Sequence, residues 1–240
     1  MIGATAEELR SIALSCGDAA GYFPAVYSRV TTQIAAAIDR GQFDDGTRMD
    51  TFATVFAKRY TSARRQEIPR PRCWQASWDV AGDGRLLIVQ HLLLGINAHV
   101  NYDLPQAVVE VARQSGGLEA VRGDFNAVNE ILAATSVGVL RDLDRTSRWV
   151  SEVVSLGGGR IFRFSLEVAR DQAWAAAERL YRLDDADDQQ AYVRELDRLV
   201  SVLAYLIAHP TFPASLLIPA ARRLEQRDPL QVVTALLGDH

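Results

Sequence analysis

Two histidines and an aspartate share one stripe of an otherwise apolar run, His91-Leu-Leu-Leu-Gly95-Ile-Asn97-Ala-His99-Val-Asn101-Tyr-Asp103-Leu-Pro105. At ~3.6 residues per turn, His91, Gly95, His99 and Asp103 fall at i, i+4, i+8 and i+12 of one helical face. Polar groups on so apolar a helix cost roughly 1–3 kcal/mol each unless something hydrogen-bonds them. His99 and Asp103 have the spacing of a dyad. The carboxylate fixes the imidazole tautomer and raises its basicity, as general acid–base catalysis near neutral pH requires. With further carboxylates such as Asp124 or Asp171, the same pair could begin a divalent-metal site. A structural role competes, because Asp103-Leu-Pro105-Gln106 has the form of a capped helix start.

His91 and His99 lie ~12 Å apart along a straight helix, too far to share one metal. Gly95 sits midway and costs the helix about 1 kcal/mol relative to alanine. Its missing side chain either admits a close helix crossing or opens a notch for a slender ligand with an imidazole at each end. The notch predicts that Gly95→Ala spares stability and impairs function, whereas a crossing predicts overpacking. Asn97 and Asn101 form a second stripe, expected to bond to backbone or to Asp124, Asn126 and Asn129. Arg59 with Tyr60, and Arg170 with Asp171, are candidates for closing the pocket from facing helices. A buried arginine–aspartate pair is more often structural. Trp74, Trp78 and Trp174 are candidates for an aromatic wall, or simply core.

Helical periodicity runs through nearly the whole chain, and no strand-type alternation persists. Thr5 caps a first expected helix to about Ser15. Others run from about Pro24 to Arg40, from Asp44-Asp45-Gly46 to about Gln66, over Cys73–Trp78, and from Arg85 to about Asn101. Further helices cover 105–114, 117–133 and 135–155, the last two either separate or one kinked helix. Gly157-Gly158-Gly159 marks a loop, followed by helices at 163–183, 187–208 and 213–226 and a short terminal one. The expectation is all-α: a single compact domain, 1–240, of about eight to ten helices around a central apolar helix carrying His91, Gly95 and His99.

The 240 residues are 48% hydrophobic, enough for one core, and the net charge of −4 makes neither nucleic acid nor an anionic membrane a default partner. No apolar run approaches the ~20 residues of a membrane span. The N-terminus has acids where a secretory leader would be basic and apolar, so a cytoplasmic location is expected. Cys16 and Cys73 lack metal-type spacing. Lys58 is the only lysine, a bias that suggests a GC-rich bacterial genome. Phosphate-loop, dinucleotide and nucleophile-elbow motifs are missing, and four histidines are too few for a trinuclear zinc site.

The His91–Leu104 run resembles the signature of a bacterial family frequent in actinomycetes, domain of unknown function 5995. Phe56-Ala-Lys-Arg59-Tyr60, Asp124-Phe-Asn-Ala-Val-Asn129 and the Phe164–Trp174 stretch resemble it more weakly. The resemblance runs from roughly residue 25 to 210 and implies no activity.

The residues themselves favour an enzyme of bacterial small-molecule metabolism, natural-product biosynthesis included, with a cyclase-, isomerase- or lyase-type reaction on a hydrophobic substrate. His99, oriented by Asp103, is its expected acid–base residue, and His91 binds or polarises the substrate. Gly95, Asn97, Arg59, Tyr60, Trp74, Trp78, Asp171 and Trp174 are the expected binding residues. No cofactor is favoured. The alternatives are a metal-dependent hydrolase using His99, Asp103 and Asp124, and a non-catalytic carrier of a hydrophobic ligand. A homodimer is left open.

Overall fold

The computed structural model describes residues 2–147, 149, 158–212 and 214–238, with side chains omitted for 158–165 and 214. The fold is all-α. Its helices are α1 (Ile2–Ser15), α2 (Tyr22–Asp39), α3 (Gly46–Arg65), α4 (Arg72–Asp79), α5 (Ile88–Ala98), α6 (Leu104–Gln114), α7 (Leu118–Thr146), α8 (Gly158–Tyr181), α9 (Ala186–Ala208), α10 (Ala214–Arg222) and α11 (Pro229–Leu237). A π-helical segment, His99–Asp103, joins α5 to α6 without a break. Among the described residues the only β-type pairing is an isolated bridge between Ser147 and Glu225.

The apolar helix α5 is central, as its composition requires, and it packs against α2, α4 and α9. The π segment packs against α3, α6, α8 and α9. Its origin is local. Pro105 cannot donate to the carbonyl four residues back, and its ring crowds that turn. The chain widens the turn instead, and the Leu104 N–H donates to the His99 carbonyl, five residues back. Asp103 is therefore helical and caps nothing, contrary to the capped start expected there. Its carboxylate is left free to serve His99.

Other ends depart from expectation for equally local reasons. Thr5 lies inside α1, whose first N–H is taken by the Asp50 side chain, so it is not the cap. The central helix begins at Ile88, not Arg85. The Gln90 side chain accepts from the Leu87 N–H, and buried Glu225 accepts from the Ile88 N–H, so both pin that start. α7 is continuous from Leu118 to Thr146, where one kinked helix or two had been expected. Residues 148 and 150–155 of the expected 135–155 helix lie outside the described residues, as does Gly157 of the expected loop. Gly158 and Gly159 already belong to α8.

Asp124 ties the base of α7 to α3. Its carboxylate accepts from Arg48 Nη2 at 2.6 Å, from Arg48 Nε at 3.1 Å and from the Asp44 N–H at 2.7 Å. Asp124 is buried, so losing it leaves the Arg48 guanidinium only the longer Asp45 contact at 3.6 Å and takes the acceptor from a backbone donor. We expect Asp124→Ala to cost about 3 kcal/mol in denaturant unfolding. Glu110→Ala, which removes the more exposed Arg59 partner, should cost at most about 1 kcal/mol.

Candidate functional site

His99 is held from three sides. Its Nδ1 lies 3.0 Å from Asp103 Oδ2, and the same oxygen accepts from Trp74 Nε1 at 2.9 Å. With that carboxylate oxygen as the acceptor of both bonds, Nδ1 carries the proton and Nε2 the lone pair. The Phe56 ring stacks on the imidazole at 3.7 Å and 8°, and Tyr27 meets it edge-on at 4.4 Å. Nε2 is buried and has no hydrogen-bond partner among the described residues. Burial holds the His99 pKa below the ordinary 6.5, outweighing the pull of Asp103 in the other direction. The result is a neutral imidazole of fixed tautomer with a free basic nitrogen.

His99 lines a cavity of about 140 Å³ between α2, α5, α7 and α8. A void of roughly that volume with apolar walls accommodates a single aromatic ring. The wall is mostly Val, Leu, Ile and Phe. The Thr135 and Ser136 hydroxyls on it are spent on their own helix, donating to the Ile131 and Leu132 carbonyls. Two other polar groups on the wall are not spent in this way. The Tyr27 hydroxyl makes no hydrogen bond among the described residues, and burial raises its pKa well above 10. Arg170 is buried over the Phe125 ring. It donates from Nε to Asn129 Oδ1 at 2.5 Å and from Nη2 to the Phe125 carbonyl at 2.6 Å. Among the described residues it has no ion pair, and burial lowers its pKa to about 10.

His91 is elsewhere. Phe23 of α2 packs onto Gly95, and a Cβ on Gly95 would lie 2.5 Å from Phe23 Cβ and Cγ. The expected ligand notch is thus a close helix crossing, filled by an aromatic ring. Phe23 also separates the two histidines. His91 faces a crevice of about 10 Å³ with Tyr60, Trp74, Ser77 and Trp78, room for about one water. The Tyr60 hydroxyl is buried without a partner among the described residues.

The remaining expected binding residues scatter. Asn97 donates to the Val200 backbone carbonyl, the backbone alternative expected for it, and accepts from Asn101; no bond to Asp124, Asn126 or Asn129 is made among the described residues. Arg59 pairs with Glu110 and Gln106 beside a separate surface cleft. Trp74 positions Asp103, and Trp78 stacks on Trp74. Trp174 packs on Phe125 and donates to Glu178. Asp171 is exposed, whereas its neighbour Arg170 lines the cavity. The phase of α8 carried that signal: Leu166, Arg170, Ala173, Trp174 and Ala177 share a stripe, and Asp171 lies off it. Phe23, Tyr27 and Phe56 were not singled out as site residues, because nothing local marks a ring that packs on a distant imidazole.

Among the described residues no three His, Cys, Asp or Glu side chains gather as a metal site. The alternative set of His99, Asp103 and Asp124 is not assembled, because Asp124 is bound to Arg48. The sequence model of the family of unknown function DUF5995 matches residues 2–210. The chain belongs to this family. The matched span contains His99, Asp103, Trp74, Tyr27 and Arg170. No curated protein and no solved structure matches the chain.

Gly95→Ala should therefore destabilise the protein by roughly 1–3 kcal/mol, because the clash meets the stem of Phe23 and not a mobile side-chain end. Phe23→Ala should largely relieve it in a double-mutant cycle of denaturant melts. The histidines predict a pH dependence. Burial, with Arg222 next in effect, lowers His91 to about 4. Between that value and the ordinary 6.5 the unfolded chain binds more protons than the folded one. Stability present above pH 6.5 is thus lost as the pH falls toward about 4, by about 3 kcal/mol from His91 alone. Urea midpoints over this range should fall, and His91→Gln should flatten the slope.

Proposed function

We propose that this chain is a small-molecule enzyme that uses His99 as its acid–base residue on an apolar substrate carrying a carbonyl or carboxylate oxygen. One observation carries the reading: a neutral imidazole with a free Nε2 on the wall of an apolar cavity, its tautomer set by Asp103 and Trp74. Nε2 takes a proton from the substrate. The Tyr27 O–H and the Arg170 guanidinium stabilise the oxygen on which charge develops, and the dry wall strengthens both effects. Proton abstraction beside a carbonyl, leading to isomerisation, cyclisation or elimination, suits these groups. The cavity volume favours single-ring or short branched molecules.

The almost wholly apolar wall also suits a non-catalytic carrier, in which His99, Tyr27 and Arg170 only recognise the ligand. Deuterium exchange separates the two. With 4-methyl-2-oxopentanoate in D₂O, the wild type should accelerate loss of the C3 protons, followed by NMR. His99→Gln should reduce that rate by about 10²–10⁴-fold while binding in a thermal-shift assay persists. The acid limb of the rate profile should lie below pH 6.5, because His99 titrates below that value. Binding without exchange would leave the carrier. If neither this oxo acid nor benzoate nor toluene binds, the cavity is not a ligand site.

A further inference from the structure

Among the described residues Arg170 is the only arginine or lysine that is buried. Arg29, Arg48 and Arg222 are partly buried, and each is paired with a carboxylate, on Asp142, Asp124 and Glu225 respectively. Arg170 has no such partner among the described residues. Its bonds to Asn129 and the Phe125 carbonyl, and the Phe125 ring that it lies over, are all to neutral groups. The acids nearest to these residues in the chain do not supply the charge. Glu167 and Asp171 are exposed and form no ion pair with it, and Asp124 is held by Arg48 and the Asp44 N–H. A buried charge without a counter-charge is costly, and this one persists at neutral pH, because burial lowers its pKa only to about 10, with Asp171 acting in the opposite direction. Of five guanidinium N–H groups the two bonds use one on Nε and one on Nη2, which leaves two on Nη1 and one on Nη2.

We propose that the ligand of the His99 cavity is an apolar monocarboxylate, its carboxylate paired with Arg170 and its hydrocarbon part against the Val, Leu and Ile wall. The inference rests on the cavity being a ligand site, and it holds for an enzyme and a carrier alike. A carboxylate supplies the missing counter-charge, and its two coplanar oxygens match N–H groups on Nη1 and Nη2 together. One negative charge balances one guanidinium. A dianion such as phosphate would bring a second charge and no apolar surface to a wall that is mostly hydrocarbon. The volume of about 140 Å³ sets the size of the tail at one ring or a branched chain of similar bulk. Arg170 also lines a crevice of about 10 Å³ with Asn129 and Glu167, which has room for about one water and so for no counter-charge. In the enzymatic reading Arg170 holds the carboxylate of a 2-oxo acid, and the Tyr27 O–H is left for the adjacent carbonyl.

Isothermal titration calorimetry of the full chain with benzoate, nitrobenzene and toluene tests this. Benzoate and nitrobenzene have the same shape and differ in charge. The wild type should bind benzoate at least ~10-fold more tightly than nitrobenzene, and inorganic phosphate should not displace it. Arg170→Gln should weaken benzoate ~10-fold or more and leave toluene within about threefold, so that benzoate loses its advantage. Arg170→Lys, which keeps the charge without the planar fork, should retain part of the preference. Should Arg170→Gln not fold, the wild-type comparison of benzoate with nitrobenzene decides alone. Nitrobenzene binding as tightly as benzoate, a benzoate preference that survives Arg170→Gln, or displacement by phosphate would each overturn the assignment and leave the cavity a site for some other ligand. If none of the three aromatic compounds binds, the cavity reading falls as well. A benzoate preference without proton exchange of the oxo acid upholds the assignment and removes only the catalytic role of His99.

Discussion

Asp103 is a carboxylate buried at the middle of a helical bundle, and the centre of the fold is arranged to supply it with donors. Trp74 brings one from α4 and His99 brings another from the preceding turn, both onto the same oxygen. Neither donor is optional. A buried acceptor without partners costs more than most single packing contacts contribute. The Trp74 indole must therefore reach the π segment, which fixes α4 against α5. The widened turn before Pro105 keeps Asp103 within reach of His99, one helical turn earlier. A proline that would ordinarily end a helix thus holds a charged side chain in register with an imidazole.

Phe23 is the second constraint. By filling the space over Gly95 it locks α2 to α5 and divides the interior into two compartments. On one side His91 and the Tyr60 hydroxyl share a crevice that holds about one water. On the other, His99, Tyr27 and Arg170 share the wall of the larger apolar cavity. Both histidines are buried and have lowered pKa values, but among the described residues only His99 has a hydrogen-bonded carboxylate partner, and its cavity is far larger than the one-water crevice beside His91. Burial alone does not make a site. The combination of burial, an oriented tautomer and adjoining space is what distinguishes His99.

The polar groups inside the bundle divide by how completely they are satisfied. Asp124, Glu225, Asn97 and Gln90 have partners on other segments and hold those segments together. Among the described residues, buried His99 Nε2, the Tyr27 hydroxyl and one arm of Arg170 have no partner. The first group explains the architecture. The second is bonding capacity that the fold itself does not consume, and these three residues share the wall of one cavity, while the unpartnered Tyr60 hydroxyl belongs to a residue of the His91 crevice.

Much of this was legible in the sequence. Period-3.6 patterning gave the helices and the all-α class, because local amphipathicity is a property of neighbours in the chain. The spacing of His99 and Asp103 gave the dyad, since residues four apart meet on any helix, and here on the π turn as well. The central motif also gave the family. Tertiary structure decided the rest. Whether Gly95 meets a ligand or a ring depends on which face α2 presents to it. Whether Arg170 or its neighbour Asp171 reaches the cavity depends on how α8 is rotated, and the apolar phase of that helix already held the answer. The partition of the two histidines by Phe23 over Gly95, the recruitment of Trp74 and the capture of Asp124 by Arg48 join residues 29 to 76 positions apart. Such contacts are set by packing shape and buried hydrogen-bond demand, and neither quantity is encoded in a local pattern.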